Sequence, residues 1–384
     1  MNLIYLDNNA TTPMLPAVAE AMRPFLTEVY GNPASAHRAG RRARQALEDA
    51  REKTAAILGA HPDEVIFTSG GTEANNLALF GLGGDPPGHI ITSPIEHPSV
   101  SEPIQHLEKQ GFMVDRLPVD HEGVIQTEDL ARLLRADTRL VTVMLANNEV
   151  GSIQPIAVCA QLLDGRAAFH CDAVQAAGRI PVSFRDLGAT TLSISAHKFH
   201  GPKGVGALLV RRNTNLRPRL MGGHQQQGRR PGTEPVALAV GLAAALELWQ
   251  RQNVEQTKKV RLLRGQLLEA LEATVAPVVL NGPRERGVPH TLNLSFPGCQ
   301  ADSLLMNLDL VGVACSTGSA CSSGSLLPSP VLQAMGLANE VLHSAMRFSL
   351  SPLLTEDQIS EAARRTASVV ARLRDTPLRE QTPD

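Results

Sequence analysis

The 384-residue chain is poor in aromatic residues and cysteine, and it lacks any long apolar run. No apolar stretch approaches the roughly 18 residues that a membrane-spanning helix needs. The opening segment MNLIYLDNNATTP carries no basic region followed by an apolar one, so we expect no export signal and a cytoplasmic protein. The net charge is only -2, with both signs spread along the chain, so we expect neither a nucleic-acid nor a membrane partner.

Cysteines are few and widely spaced, which argues against a disulfide framework, a metal site and an iron–sulfur cluster. They are Cys159, Cys171, Cys299, Cys315 and Cys321. Cys321 differs from the others because CSTGSACSSGSLLPS surrounds it with glycine and small polar residues. Such a run cannot bury an apolar face, so it predicts an exposed, mobile loop. From the residues alone, a reactive thiol and a plain loop cysteine are equally good interpretations.

The order of elements predicts two domains. Apolar runs alternate with helical patterns from about residue 45 to 250, which is typical of a mainly parallel sheet covered by helices. A long helical pattern over Pro235–Thr274 then leads to a smaller α+β arrangement. We predict a large α/β domain over residues 15–250 and a small domain formed by residues 1–14 and 251–384. The predicted strands are Glu64–Thr68, His89–Thr92, Leu140–Leu145, Ala167–Cys171, Thr190–Ile194, Gly206–Val210, Thr291–Phe296, Gly312–Cys315 and Ala345–Leu350. The other predicted helices are Arg41–Leu58, Thr127–Leu134, Ile156–Leu163, Ala301–Leu308, Ser329–Met335 and Thr355–Leu373.

A lysine stands at the end of the apolar strand in SISAHKFHGPK. Partial desolvation there would lower the pKa of Lys198 and favour the neutral amine that a Schiff base needs. Lys203 is the nearby alternative, and a solvated loop lysine is the ordinary interpretation of either. Ser195 and His197 lie beside Lys198 and could donate hydrogen bonds to a phosphate.

Other polar residues follow neighbouring strands. TSGGTEANN opens a helix, so the backbone N–H groups of Gly71 and Thr72 would face an anion with the helix dipole behind them. Asp172 could hold a pyridine nitrogen protonated, and Gln175 or His97 could contact an aromatic ring. Singly, each fits a helix cap or a surface residue as well. Together, in this order, they fit a site for pyridoxal 5′-phosphate (PLP), which needs a phosphate cup, an anion for its nitrogen and a flat partner for its ring.

Ten segments, taken in order, resemble the class V aminotransferase-like group of fold-type I PLP enzymes, and within it the cysteine desulfurases. They are Tyr5–Pro13, Gly31–His37, Thr68–Asn76, Glu96–His97, Asn147–Gly151, Asp172–Gln175, Ser195–Lys198, Gly232–Thr233, Ser319–Ser322 and Arg347–Leu350. The resemblance implies the type I fold, with a mainly parallel seven-stranded sheet flanked by helices and a small α+β domain. The residues around Cys321 resemble the long-loop subgroup, which is associated with general sulfur supply.

The resemblance also implies roles for individual residues. Lys198 would bind the cofactor covalently, Asp172 would pair with the pyridine nitrogen, and His97 would stack on the ring and take part in proton transfer. Residues implied to hold the phosphate are Gly71, Thr72, Ser195 and His197, with Thr233 reaching the phosphate of the neighbouring subunit in a homodimer. Residues implied to contact the ring or its hydroxyl are Asn147 and Gln175. Residues implied to bind the substrate carboxylate are Asn32, Asn147 and Arg347.

The activity implied is removal of sulfur from L-cysteine, which leaves L-alanine and a persulfide on Cys321. An acceptor protein for iron–sulfur cluster assembly or thiolation would then take the sulfur. A selenocysteine lyase, another class V aminotransferase and a non-catalytic sulfur-relay subunit are the alternatives. The chain departs from the family pattern twice: residue 71 is glycine where alanine is usual, and GHQQQGRRPGT has glutamines where a Glu-Arg pair is usual.

Overall fold

The computed structural model describes residues 2–318 and 328–375. The strands are β1 (Ile4–Tyr5), β2 (Val65–Thr68), β3 (His89–Thr92), β4 (Met113–Arg116), β5 (Thr138–Thr142), β6 (Ala168–Asp172), β7 (Thr191–Ser195), β8 (Gly206–Val210), β9 (Val279–Asn281), β10 (Thr291–Ser295), β11 (Val313–Ala314) and β12 (Ala345–Ser349). The α-helices are α1 (Pro16–Thr27), α2 (Arg38–Ile57), α3 (Gly71–Gly83), α4 (Pro98–Lys109), α5 (Thr127–Leu133), α6 (Ile156–Leu163), α7 (Phe184–Leu187), α8 (Val236–Thr274), α9 (Ala301–Leu310), α10 (Pro330–Ala334), α11 (Asn339–Leu342) and α12 (Glu356–Asp375). None of the described helices combines the length and the apolar character needed to cross a membrane.

The central sheet has seven strands in the order β2-β8-β7-β6-β5-β3-β4. β8 runs antiparallel to both of its neighbours, and the other pairs are parallel. The prediction of a mainly parallel seven-stranded sheet is therefore confirmed. β2, β3, β7 and β8 are buried along their whole length, as expected for a sheet with helices on both faces. The carboxyl ends of β3, β5, β6 and β7 meet at one edge, which is where such sheets place their ligand sites.

Three strands, β1, β4 and β9, are absent from the sequence predictions, and β5 begins earlier than predicted. β4 was not predicted, because Met113–Arg116 is an edge strand of partly exposed, partly charged residues without an apolar pattern. β5 begins at Thr138 rather than Leu140. Beyond β5 the chain stays beside β6, since the N–H of Val143 donates to the carbonyl of His170 at 3.2 Å.

A second group of strands lies beyond the 39-residue helix α8. β10 pairs antiparallel with β9 and β12, and β1 pairs parallel with β11. The chain start therefore packs with its last third. Leu263, Leu267, Phe296 and Phe348 belong to an apolar cluster separate from the core around the central sheet. The domain boundaries given above stay a prediction.

The free edge of β2 is covered by side chains. The side-chain amide of Gln226 accepts a hydrogen bond from the N–H of Phe67 at 2.7 Å and donates to the carbonyl of Phe67 at 2.6 Å. Arg51 donates to the neighbouring carbonyl of Val65. Gln226 therefore makes the hydrogen bonds that an adjacent strand would make, and it pairs the backbone N–H and carbonyl of a buried edge residue. It is one of the glutamines that depart from the family pattern.

Replacing Gln226 by alanine should lower the free energy of unfolding by about 1 to 3 kcal/mol, because two backbone groups lose their partners. Urea denaturation measures this directly. Gln227→Ala is the matched control, since Gln227 is exposed and its φ of 62° resembles the 50° of Gln226. The control should change the free energy by less than about 0.5 kcal/mol. Equal effects of the two substitutions would contradict this role of Gln226.

Candidate active site

A cavity of about 210 Å³ lies at the carboxyl edge of the central sheet. The cavity wall is formed by the first residues of α3, the last residues of β6 and β7, and the segments that follow β3 and β5. The predicted site residues that line it are Gly71, Thr72, His97, Asp172, Gln175, Ser195, His197 and Lys198. Ser99, Met144, Asn148 and Val174 also line it. The sheet thus brings together residues that lie more than a hundred positions apart in the sequence.

Asp172, the last residue of β6, is a buried carboxylate with only 4% of its surface exposed. Its Oδ1 accepts a hydrogen bond from the N–H of Val174 at 2.9 Å. Its Oδ2 accepts from the side-chain amide of Asn75 at 2.7 Å. Hydrogen bonds of this kind compensate for the lost hydration of a buried charge.

Asn75 connects Asp172 to three further groups and was missed by the sequence analysis. Its Nδ2 also donates to Ser99 Oγ at 2.8 Å. Its Oδ1 accepts from Ser193 Oγ at 2.5 Å and from His170 Nε2 at 3.1 Å. Every hydrogen-bonding site of the Asn75 amide is therefore used. The motif TSGGTEANN contains Asn75, but nothing in the sequence shows that it contacts Asp172.

The orientation of His97 follows from the same network. The backbone N–H of Ser99 donates to His97 Nδ1 at 3.0 Å, and Ser99 Oγ lies 2.8 Å from the same nitrogen. Because Nδ1 accepts, the proton of the neutral ring sits on Nε2. Burial lowers the pKa of His97, the nearby Asp172 raises it, and Lys198 and Arg347 lower it, for a net decrease. The ring is therefore neutral at physiological pH.

Lys198 lies in a 3₁₀ turn, Ala196–Lys198, directly after β7. Its Nζ donates to the carbonyls of Asn9 at 2.5 Å and Ala10 at 3.0 Å. Gln175 Nε2 donates to the same Asn9 carbonyl at 3.0 Å. The N-terminal segment thus holds both side chains in place. Asn9 was not predicted as a site residue, although the motif that contains it was recognised.

The residues at the other end of the cavity fit a phosphate. Ser195 Oγ is buried and has no hydrogen-bond partner within the described part of the chain. α3 begins at Gly71, and its N-cap Gly70 supplies no side-chain cap, so the first-turn N–H groups remain available. A second cavity of about 380 Å³ shares Gly71, Thr72, Ser195 and His197 with the first and adds Lys203. An unpaired hydroxyl, a helix start and a lysine are a donor set that suits a phosphate group.

Glycine at position 71 has a local reason. A Cβ atom there would lie 2.7 Å from Cγ2 of Val174, so alanine would force Val174 to move. The departure from the usual alanine is therefore matched by the residue beside it. His197 also lines this end, and burial together with Lys198 and Lys203 lowers its pKa to about 4, which keeps it neutral.

Some predicted residues lie outside the cavity wall. The Asn147 side chain is used internally, because its Oδ1 accepts from the N–H groups of Glu149 and Val150. Asn32 and Thr233 are exposed. Their roles stay predictions.

Arg347 on β12 lies behind the cavity wall. It donates to Asp7 Oδ1 at 2.8 Å and to the carbonyl of Asn148, a lining residue, at 3.1 Å. Its Nε is buried and has no partner in the described part of the chain. Its substrate-binding role stays a prediction.

Cys321 lies outside the described residues. The other four cysteines are buried. Burial raises the pKa of Cys159 to about 11 and that of Cys315 to about 12, and it raises the pKa of Cys171 and Cys299 as well. These thiols are therefore protonated at neutral pH and poor nucleophiles.

Comparisons with known proteins identify the family of the chain. The aminotransferase class-V family model matches residues 4–361. The cysteine desulfurase IscS of Dictyoglomus turgidum is 45% identical over 375 residues, which cover 97% of this chain and 95% of that protein. A cysteine desulfurase of Nostoc sp. is 44% identical, with 97% and 94% covered. Among solved structures, a NifS-like protein has a TM-score of 0.91 at 38% identity, covering 96% of this chain and 100% of that one. DndA from Streptomyces lividans has a TM-score of 0.76 at 41% identity, covering 91% and 99%.

The chain therefore belongs to the class-V aminotransferase family, whose fold it shares. Within that family its relatives at 44% and 45% identity place it among the cysteine desulfurases.

Replacing Asn75 by alanine should destabilise the protein by at least about 2 kcal/mol, because several buried groups lose a partner at once. Asn76→Ala is the matched control, since Asn76 is partly exposed and its side-chain amide donates to the carbonyl of Thr72 at 2.9 Å. Urea denaturation and the dissociation constant of added PLP should both separate the two variants. Similar behaviour of both variants would show that the Asn75 network does not support the site.

Glu96 should give the protein a pH-dependent stability. Its pKa is raised from 4.5 to about 8: burial is the main cause, the nearby Asp172 also raises the pKa, and hydrogen bonds from Ser93 and Met144 lower it. The folded state therefore keeps a proton that the unfolded state loses, so this contribution is complete below pH 4.5 and is lost as the pH rises through about 8.

Glu96→Gln should remove this pH dependence. Between pH 4.5 and about 8 the unfolding free energy of the wild type should fall, relative to the variant, by up to about 1.4 kcal/mol per pH unit. Urea denaturation at several pH values measures the two slopes. Glu102→Gln, on the exposed surface of α4, should keep the wild-type slope. Parallel slopes for wild type and Glu96→Gln would mean that Glu96 is ionised in the folded protein.

Proposed function

We propose that the chain uses PLP to remove sulfur from L-cysteine, leaving L-alanine and a persulfide on Cys321. One observation carries the proposal: Lys198, Asp172 and His97 line a single cavity whose far end offers phosphate donors. An amine, a carboxylate, an aromatic ring and an anion site are the four parts that a PLP site needs. The named activity of the relatives gives the substrate.

Different residues would bind different parts of the cofactor. Gly71, Thr72, Ser195 and His197 would hold the phosphate, and Asp172 would keep the pyridine nitrogen protonated. When bound, the cofactor acts as an electron sink that makes bonds at the substrate's α and β carbons labile. Thr233 would reach the phosphate of a neighbouring subunit, so we propose a homodimer.

Lys198 and His97 would handle protons. Lys198 Nζ, which the Asn9 and Ala10 carbonyls position, would accept the α-proton of the substrate and return it at the product stage. His97 would place its flat face against the cofactor ring. Because its Nδ1 accepts from Ser99, the proton of its neutral ring lies on Nε2.

The substrate carboxylate would bind to Arg347. The guanidinium is fixed by Asp7 and by the carbonyl of Asn148, and its Nε lacks a partner in the region described. A guanidinium held in this way matches the geometry of a carboxylate. Asn32 and Asn147 would assist.

Cys321 would take the sulfur as a thiolate. A bond forms between Cys321 Sγ and the substrate sulfur while the Cβ–S bond of the substrate breaks, and the electron pair goes to Cβ. Protonation of that carbon gives alanine, and Cys321 keeps the persulfide. The high pKa values of the buried thiols favour Cys321 over the other cysteines. A thiol of this kind needs a reducing compartment, which supports a cytoplasmic enzyme that passes sulfur to an acceptor protein for cluster assembly or thiolation.

Spectra and product assays test this proposal. Protein supplied with PLP should show a visible cofactor band that shifts when L-cysteine is added, and it should release alanine and, with a reductant, sulfide. Cys321→Ala should keep the band and lower both products by about two orders of magnitude or more, as expected for a missing nucleophile. Lys198→Ala should lose the native band as well as the activity.

Cys299→Ala is the matched control and should keep wild-type activity. Wild-type rates in Cys321→Ala would reject this cysteine as the nucleophile. A protein that stays colourless with PLP would reject the cofactor, and a coloured protein that forms no sulfide would favour an aminotransferase.

A further inference from the structure

A separate cavity of about 320 Å³ lies where the central sheet, helix α8 and the segment after β12 meet. Arg179 and Phe199 line it from the central-sheet side, Trp249 from α8, and Leu353 from the segment after β12. None of these four residues lines the cavities of the candidate active site. Its wall is mainly apolar, and its charged lining residues are the buried Arg179 and the exposed Glu255 and Lys259.

Arg179 forms no ion pair with any residue in the described part of the chain. Arg179 is 7% exposed, and Nη2 is buried without a hydrogen-bond partner in the part of the chain described. Burial lowers its pKa to about 10, so the guanidinium is still charged at neutral pH, and burial is the only cause of the shift. Leaving a buried charge unpaired is expensive, so such a group calls for an anion or ordered water.

Arg264 shows how the same fold treats another buried guanidinium. Burial also lowers its pKa to about 10. Its three nitrogens donate to the carbonyls of Thr291, Arg284 and Pro283, at 2.7, 2.8 and 3.0 Å. Arg179 has no such set of acceptors. The contrast indicates that the partner of Arg179 comes from outside the described chain.

A second unpartnered group lies beside Arg179. Both ring nitrogens of His290 are buried and lack partners within residues 2–318 and 328–375. His290 and Arg179 line a recess of about 20 Å³, which adjoins the larger cavity through shared lining residues that include Trp249. A recess of that size holds about one water molecule or one small polar group. Burial and neighbouring cations lower the pKa of His290 well below its usual value, so the neutral ring still offers one N–H donor.

We propose that this cavity binds a small organic carboxylate. The carboxylate would pair with Arg179, with the His290 ring as a second donor, and the apolar body would lie against Phe199, Trp249 and Leu353. A guanidinium that recognises a carboxylate at one end of an apolar cavity is a common plan for ligand sites. An inorganic oxyanion would satisfy Arg179 and leave the apolar wall unused.

The single tryptophan of the chain makes the proposal testable, because Trp249 lines the cavity. Benzoate is the probe, benzamide is its neutral counterpart, and phosphate is the inorganic anion. We expect benzoate to change the Trp249 fluorescence of the PLP-loaded protein saturably, with the cofactor band unchanged. Benzamide and phosphate should produce no comparable saturation.

Substitutions locate the binding. Arg179→Gln should weaken benzoate binding by about tenfold or more, as expected when a hydrogen bond to a charged group is lost. Arg284→Gln, which removes an exposed arginine paired with Glu272, is the matched control and should keep the wild-type affinity. If Arg179→Gln does not fold, Leu353→Gln replaces it, since Leu353 is 54% exposed and its substitution should leave the fold intact. Leu353→Gln should weaken benzoate binding several-fold.

Absence of a saturable response, equal binding of benzamide, or unchanged affinity in both Arg179→Gln and Leu353→Gln would overturn the proposal. Phosphate binding as tightly as benzoate would reduce the cavity to a general anion site and would also overturn it. If the cofactor band shifted over the same benzoate concentrations as the Trp249 fluorescence, benzoate would be binding in the active site.

Discussion

The buried carboxylate of Asp172 is the constraint on which the site depends. A charge that is 4% exposed needs hydrogen-bond donors, and Asn75 provides one only if its own carbonyl oxygen is held. His170 and Ser193 hold that oxygen, while Ser99 links the other end of Asn75 to His97. Satisfying one charge therefore fixes the ring of a second site residue and the position of its proton.

The N-terminal segment is the second structural requirement. The Asn9 carbonyl accepts hydrogen bonds from both Lys198 and Gln175, and the Asn9 side chain donates to Thr291 on β10 at 2.8 Å. Asn8 donates to the carbonyl of Ser349 on β12 at 2.8 Å. Residues near the start of the chain thus join the central sheet to the smaller sheet. The same residues position the amine of Lys198.

The sequence predicted the fold class and eight of the twelve residues that line the cavity because both depend on local patterns. Apolar runs mark buried strands, and polar residues at their ends meet once the strands are parallel. β4 escaped because its residues are partly exposed at a sheet edge. The Asn75 contacts escaped for a different reason: they join residues 97 positions apart, and no local pattern encodes them. Gln226 is similar, since its amide reaches a strand 159 positions earlier.

Three buried arginines show how the chain treats charge near the junction of its two sheets. Arg347 has a carboxylate, Asp7, and Arg264 has three carbonyls. Arg179 has neither in the described part of the chain, although it is as deeply buried. Since the fold gives the first two guanidinium groups protein acceptors, the third is not explained by a general tolerance of unpaired charge. The same argument applies to the buried negative charge of Asp172. In this protein the groups that surround a buried charge indicate its function.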